Sequence, residues 1–308
     1  MPLSTLRPTG VAAPASAPDD LRLGRWLAVQ TEVTPATRVA LVGFPSDAGV
    51  ARNGGRPGAA EGPQALREAL YRLTPDARAP DAFGALLAAT ADLGDVPVSG
   101  DVEADQAALG RVVAALLDRG VFPLVLGGGH ETAYGHALGY LTSGRSVGLL
   151  NWDAHADVRP TTGGLGHSGS PFRQALDHPS GLARSYTLAG ALPWRVAAGH
   201  ARVPDCVVWG MDLDADVVDA LVAGLAPATL ASFDLDAVDG AAGVSAPGVG
   251  GVPAAVWLRA AEACGVSPAV TSADVVELSP PHDTDGRTAT LAALTVWHLL
   301  SGLSRRAV

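Results

Sequence analysis

Directly after the apolar run 147–151 stands Asp153-Ala-His155-Ala-Asp157, two carboxylates and an imidazole at every second position. On an extended backbone such positions point to one side, so the three groups are expected to converge on one volume. A second acidic stretch, Ser232-Phe-Asp234-Leu-Asp236-Ala-Val-Asp239, follows another apolar run, again with aspartates two residues apart. The third element, Gly127-Gly-Gly-His130-Glu131-Thr132, places a histidine after glycines that permit tight turning and close backbone approach. It lacks the GxxxxGK[ST] pattern and any Lys, which argues against a phosphate loop. Four Asp and two His at three strand ends would repel one another or stay unsatisfied without cations. Hard carboxylates with imidazole suit Mn²⁺, with Zn²⁺, Fe²⁺ and Co²⁺ as competitors. Six donors exceed the needs of one catalytic ion. A pair of ions roughly 3.5–4 Å apart, sharing a carboxylate, would lower the pKa of an attacking water.

Such residues need a rigid frame. Short apolar runs at 39–43, 122–126, 147–151, 187–189, 207–210, 229–233 and 269–276 read as buried strands. Amphipathic stretches at 63–73, 104–119, 131–140, 215–222, 254–264 and 287–303 read as helices. This alternation predicts an α/β fold, a parallel sheet covered by helices on both faces, with its site beyond the C-terminal strand ends. The organisation expected is a loose N-terminal leader over 1–35 and one catalytic domain over 36–308. A net charge of −10 argues against nucleic acid, and no apolar run is long enough to span a membrane. All 21 basic residues are Arg, which excludes Schiff-base and P-loop lysine chemistry. Cys206 and Cys264 match no CxxC pattern and are expected as buried thiols, which places the protein in the cytoplasm.

In order and spacing, the segments around His130, Asp153–Asp157 and Asp234–Asp239 resemble the three signature segments of the ureohydrolase (arginase/agmatinase) superfamily, and the resemblance runs from about Gly43 to Leu300. It implies a three-layer α/β/α arginase-like fold with a mainly parallel sheet of about eight strands. It also implies two Mn²⁺ per chain. His130, Asp153, Asp157 and Asp234 would hold one, and Asp153, His155, Asp234 and Asp236 the other. The family commonly forms homo-oligomers, trimers or hexamers. By the same resemblance Glu277, in Asp274-Val-Val-Glu277-Leu-Ser-Pro280, would hold the cationic carbon centre of an amidine or guanidine.

Within the superfamily, Arg52-Asn-Gly-Gly-Arg56-Pro-Gly, Asp157-Val-Arg159-Pro160, Ser168-Gly-Ser-Pro-Phe-Arg173-Gln174 and Gly243-Val-Ser-Ala-Pro247 are most similar to the formimidoylglutamases. These enzymes of histidine degradation release formamide from N-formimidoyl-L-glutamate. Arg159 and Arg173 flank ligand segments and are the expected partners of a substrate carboxylate, with Ser168 beside them. Ser168-Gly169 stands where arginases and agmatinases usually carry His-Gly. His167 therefore either supplies the missing acid/base group or faces solvent, and Asp157 or His167 would move the proton. Asp212 and Asp214 resemble the arginase region that receives a free α-amino group. They keep open an agmatinase, guanidinobutyrase or arginase-type hydrolase that releases urea. A metal-binding but silent protein and a single-zinc deacetylase are the rivals from other classes, and metal count per chain separates the latter.

Overall fold

The Val-, Leu- and Ala-rich runs form strands buried along their length, which fits a sheet covered on both faces. The computed structural model describes residues 2–17 and 19–306. Its eight strands are β1 (Val39–Phe44), β2 (Thr90–Asp95), β3 (Phe122–Gly127), β4 (Val147–Trp152), β5 (Ala183–Ala191), β6 (Cys206–Trp209), β7 (Thr229–Asp234) and β8 (Val270–Val276). They form one sheet in the order β2-β1-β3-β8-β7-β4-β5-β6, and every strand pairing is parallel.

The helices are α1 (Gly24–Leu27), α2 (Ala48–Arg52), α3 (Gly62–Leu70), α4 (Pro80–Ala88), α5 (Val102–Leu117), α6 (Thr132–Leu141), α7 (Pro171–Leu176), α8 (Ala215–Ala223), α9 (Ala254–Val266) and α10 (Arg287–Ser304). Alternate strand residues divide the core. Val39 and Leu41 join a cluster with α1, α3, α4 and α8 to α10, whereas Ala40 and Val42 join one with α5, α6 and α7. The result is the three-layer α/β/α architecture. Among the described residues no helix is long and apolar enough to cross a membrane.

Three features differ from the sequence expectation. Strand β2 and helix α4 before it were not expected, because Thr-Ala-Asp92-Leu-Gly-Asp95 reads as polar loop. Its charges are instead matched internally. Arg67 of α3, fully buried, holds Asp92 through Nε (2.8 Å) and Nη2 (3.0 Å), and Asp95 through Nη1 (2.6 Å). The Tyr71 hydroxyl also donates to Asp92 (3.0 Å). Burial alone would lower the Arg67 pKa, but Asp92 and Asp95 outweigh it and hold the guanidinium above its ordinary value.

Second, the segment 1–35 is anchored to the domain at two places, Arg7 and Leu23–Leu27. Arg7 bridges Asp95 antiparallel through two 2.8 Å backbone bonds, so the segment covers the edge that β2 would otherwise present. Gly94 makes that approach possible, since a Cβ there would stand 2.0 Å from the Arg7 carbonyl oxygen. Leu23 and Leu27 are fully buried. Third, Cys264 is buried as expected but Cys206 is exposed.

Removing one member of a buried ion pair leaves the other charge uncompensated. Arg67→Met should therefore cost about 3–5 kcal/mol of stability, read as a lower urea midpoint. A loss below about 1 kcal/mol would show that solvent reaches Asp92 once the guanidinium is gone.

Candidate active site

The chain ends of β3, β4, β7 and β8 meet at a cavity of about 220 Å³ lined by His130, His155, Asp157, Asp234, Asp236 and Glu277, with Asn53, Arg159, Ser168 and Ser245 around them. This is the C-terminal edge of the sheet, where open α/β folds bind ligands. A larger cavity of about 590 Å³ lies against β2 and the N-terminal segment, among Leu3, Leu6, Val11 and Tyr71. It contains no histidine, and its one deeply buried carboxylate, Asp92, is already paired.

The convergence at the first cavity has a different cause from simple strand alternation. Strand β4 stops at Trp152, and the chain turns as Asp153 Oδ1 accepts the His155 N–H (2.6 Å). Asp157 then adopts a left-handed φ of +45°. After β7, Asp234 Oδ1 accepts the Asp236 N–H (2.9 Å) in the same manner. Both are local carboxylate turns, which aspartate favours. At the third element Gly128 is required, because a Cβ there would lie 1.9 Å from the Ser46 carbonyl oxygen. The Gly128 carbonyl accepts the Glu277 N–H (2.8 Å), and the His130 N–H donates back to Glu277 Oε1 (2.6 Å). That reciprocal clasp fixes the ends of β3 and β8 together.

The structure brings all six sequence-derived His and Asp residues to this place. His130 Nδ1 lies 3.3 Å from Asp153, 2.9 Å from Asp157 and 3.0 Å from Asp234. His155 Nδ1 lies 3.4 Å from Asp153 and 3.0 Å from Asp236. Two groups result, His130-Asp153-Asp157-Asp234 and Asp153-His155-Asp236, and the donor atoms of each lie within 4.8 Å of one another. Asp153 belongs to both groups, and Asp234 to the first alone.

The donor set fits divalent cations. Asp153, Asp234 and Asp236 are buried, so water screens their repulsion poorly. Burial, then Asp236 and Asp153, push the Asp234 carboxyl well above its ordinary value. Burial alone would lower both imidazoles, yet the surrounding carboxylates pull them up, His155 to about 12. A protonated imidazole is nevertheless a poor substitute for a cation here. His130 Nδ1 and Asp236 Oδ1 are buried and have no hydrogen-bond partner, although carboxylate oxygens surround the imidazole nitrogen. Donor atoms that face one another without making hydrogen bonds leave room for ions between them.

Glu277 completes the cavity. Its Oε2 is buried with no hydrogen-bond partner, and its backbone holds a φ of +72°. A non-glycine residue in that region stores strain of about 1–3 kcal/mol, which persists only where the surroundings enforce it. Burial pushes the carboxyl up to about 7, with the nearby Ser245 side chain opposing the shift. Neighbouring Glu131 sits behind the site, where Oε1 accepts the Gly49 N–H (2.7 Å) and burial followed by Glu277 raises it to about 8.

Not every expected residue reaches the cavity. His167 is buried with both ring nitrogens committed: Nδ1 accepts the Gly169 N–H (3.1 Å), which leaves the proton on Nε2 for the Pro160 carbonyl (3.1 Å). It shapes the 160–169 loop, and neither the acid/base role nor the solvent-facing one fits it. Arg173 points along α7, its Nε toward the Val158 carbonyl and its Nη1 3.7 Å from Asp177, and it is not among the lining residues. Arg52 and Arg56 brace loops through Glu103 and Gly166 and through Ala242, Val244 and Ser245. Asp214 caps α8, and Asp212 is exposed away from the cavity. Arg159 and Ser168 do line it, tied together by Asn53, which accepts from Arg159 (3.2 Å) and donates to Ser168 Oγ (3.1 Å). Asn53 and Ser245 lie inside segments that resemble the formimidoylglutamases, but as uncharged residues they carry no signal of their own that marks them as site residues.

Comparison with known proteins agrees with this geometry. The arginase family profile matches residues 37–302. The formimidoylglutamase of Rhodococcus jostii (strain RHA1) is 41% identical over 284 residues, covering 85% of this chain and 84% of its own length. That of Klebsiella pneumoniae (strain 342) is 36% identical over 306 residues, covering 92% and 93%. The crystal structure of Trypanosoma cruzi formiminoglutamase with Mn²⁺ superposes with a TM-score of 0.83 at 30% identity, over 94% of this chain and all of that one. Proclavaminate amidino hydrolase from Streptomyces clavuligerus superposes at 0.79 with 25% identity, over 96% of this chain and 100% of its own. With the parallel sheet, the cavity at its C-terminal edge and relatives that align along nearly the whole chain, this protein belongs to the arginase family and is a hydrolase of carbon–nitrogen bonds.

Proposed function

We propose that the chain is a two-manganese formimidoylglutamase, converting N-formimidoyl-L-glutamate and water to L-glutamate and formamide. The observation that carries the reading is the cavity itself: six His and Asp residues, a Glu277 carboxylate with its Oε2 unpartnered, and Arg159 with Ser168 on the rim. The named formimidoylglutamases among the relatives support the substrate. In this reading His130, Asp153, Asp157 and Asp234 hold one ion, and Asp153, His155 and Asp236 the other. When bound, the pair lowers the pKa of the attacking water and stabilises developing negative charge.

The chain's own side chains do the rest. Glu277 Oε2 accepts a hydrogen bond from the formimidoyl N–H and sets the planar carbon above the cavity floor. Asp157, partly open to the cavity, takes up the proton released by water. The water oxygen bonds to the carbon of the cationic amidine as the C=N π pair moves onto the terminal nitrogen. The bond from that carbon to the glutamate nitrogen then breaks as the formamide carbonyl forms, and the departing amine takes the Asp157 proton and the hydroxyl proton. Arg159 pairs with a substrate carboxylate, a geometry for which its planar donors are suited. Asn53 already donates to Ser168 Oγ, so the Ser168 O–H is left to bind substrate. Arg173 has no part in this arrangement.

Mn-loaded enzyme offered formimidoylglutamate, arginine, agmatine and guanidinobutyrate should release formamide from the first at the highest kcat/KM. Arg159→Ala should raise KM for that substrate roughly tenfold without changing bound metal. Faster urea release from any guanidino compound would replace the substrate assignment and leave the hydrolase standing.

A further inference from the structure

Behind the cavity, a line of buried polar side chains runs from His130 to a histidine that no ligand spacing picks out. His130 Nε2 lies 3.0 Å from Ser232 Oγ. Ser232 donates to Asp274 Oδ1, and Asp274 Oδ2 lies 2.8 Å from His136 Nδ1. Ser232, Asp274 and His136 are all fully buried. The fold sets this line. Ser232 and Asp274 are direct partners in the β7–β8 register, and α6 carries His136 behind the turn that presents His130.

Hydrogen counting fixes the direction. The Ser232 hydroxyl has one proton and gives it to Asp274, so its oxygen must accept from His130 Nε2. The Asp274 carboxylate accepts from Ser232 on one oxygen and from His136 Nδ1–H on the other. A neutral His130 with its proton on Nε2 has a bare lone pair on Nδ1, the atom that faces Asp153, Asp157 and Asp234. The second histidine lacks such an acceptor, because Arg195 beside its Nε2 can only donate. His155 Nε2 lies 3.3 Å from Arg195 Nη1, and that guanidinium donates to the Ala246 carbonyl (2.7 Å). Among the described residues no carboxylate backs the His155 Nε2.

We infer that Ser232, Asp274 and His136 are positioning residues that hold His130 in the Nε2–H form and present its Nδ1 to one ion of the pair. The inference rests on the two-ion reading above. A partner of this kind orients a ligating imidazole and raises its basicity, and its loss typically costs about 10–100-fold in metal affinity. Because the relay touches His130 alone, its loss should weaken one ion and spare the other.

The test is Mn²⁺ binding by calorimetry, with free Mn²⁺ counted by electron paramagnetic resonance, on wild type, Asp274→Asn and Ser232→Ala. Asp274→Asn keeps shape and an acceptor for Ser232 but loses the charge, whereas Ser232→Ala breaks the line at its first link. Two ions in wild type, with one weakened 10–100-fold and the other unchanged in both variants, is the expected result. Unchanged binding in the variants, or equal weakening of both ions, overturns the relay and leaves the two-ion reading intact. Fewer than two ions in wild type overturns both.

Discussion

Asp153→Ala is expected to abolish tight binding of both manganese ions and to leave less than about a thousandth of the activity, because the water is no longer activated. Asp153 is the carboxylate common to the two donor groups, with Oδ2 toward His130 and Oδ1 toward His155. Its loss removes a donor from each ion at once. Asp236 belongs to only the second group, so Asp236→Ala should keep one ion per chain. Elemental analysis after desalting reads the difference directly. Exhaustive chelation of wild type should give the same inactivity as Asp153→Ala, and added Mn²⁺ should restore the wild type alone. Circular dichroism separates loss of metal from loss of fold, since Asp153 also accepts the Asn151 amide (3.0 Å) and the His155 N–H. Two tightly held ions in Asp153→Ala would refute the shared-carboxylate arrangement.

The convergence of the six His and Asp residues was legible in the sequence because each motif is local and chemically costly. Aspartates two apart at the end of an apolar run have few uses other than a cation. Their convergence has a cause that spacing alone does not reveal. An extended backbone was expected, but the chain turns at Asp153 and takes a left-handed step at Asp157. Residue identity was thus more informative than local geometry. The sheet was legible for the same reason, since its inner strands are short apolar runs. Strand β2 was not, because Asp92 and Asp95 become acceptable in a strand only through Arg67, which lies more than twenty residues away. The edge-covering role of the N-terminal segment depends on β2, so it was hidden with it.

Side chains on the rim were harder to place than those at strand ends. Arg159 follows the Asp153–Asp157 motif directly and lines the cavity, whereas Arg173, farther along the chain, does not. The start of α7 decides this by turning Arg173 toward Val158 and Asp177. The place of His167 is hidden in the sequence because its partners are backbone groups of its own loop, which no residue pattern reveals. The relay shows the same limit from the other side. Ser232 and Asp274 both lie inside motifs singled out for Asp234 and Glu277, but their contact depends on the β7–β8 register.

Glu277→Gln should lower kcat by roughly 10²–10³-fold, comparable to removing one preorganised charge-stabilising group, with both ions still bound. The glutamine keeps an oxygen where Oε1 accepts the His130 N–H, so the clasp between β3 and β8 survives. It places an N–H₂ donor where Oε2 now stands without a partner. A donor there faces the donors of a cationic amidine, turning attraction into repulsion at the reacting carbon. Stability should move the other way. A buried carboxylate oxygen without a partner is costly, and so is the φ of +72° that aims it. Replacing the charge with a neutral amide should therefore leave the thermal midpoint equal to or above that of wild type. Activity lost without loss of stability or metal is expected of a residue kept in a strained, unsatisfied state for its substrate. If kcat stays within tenfold of wild type with two ions bound, Glu277 serves only to join two strand ends.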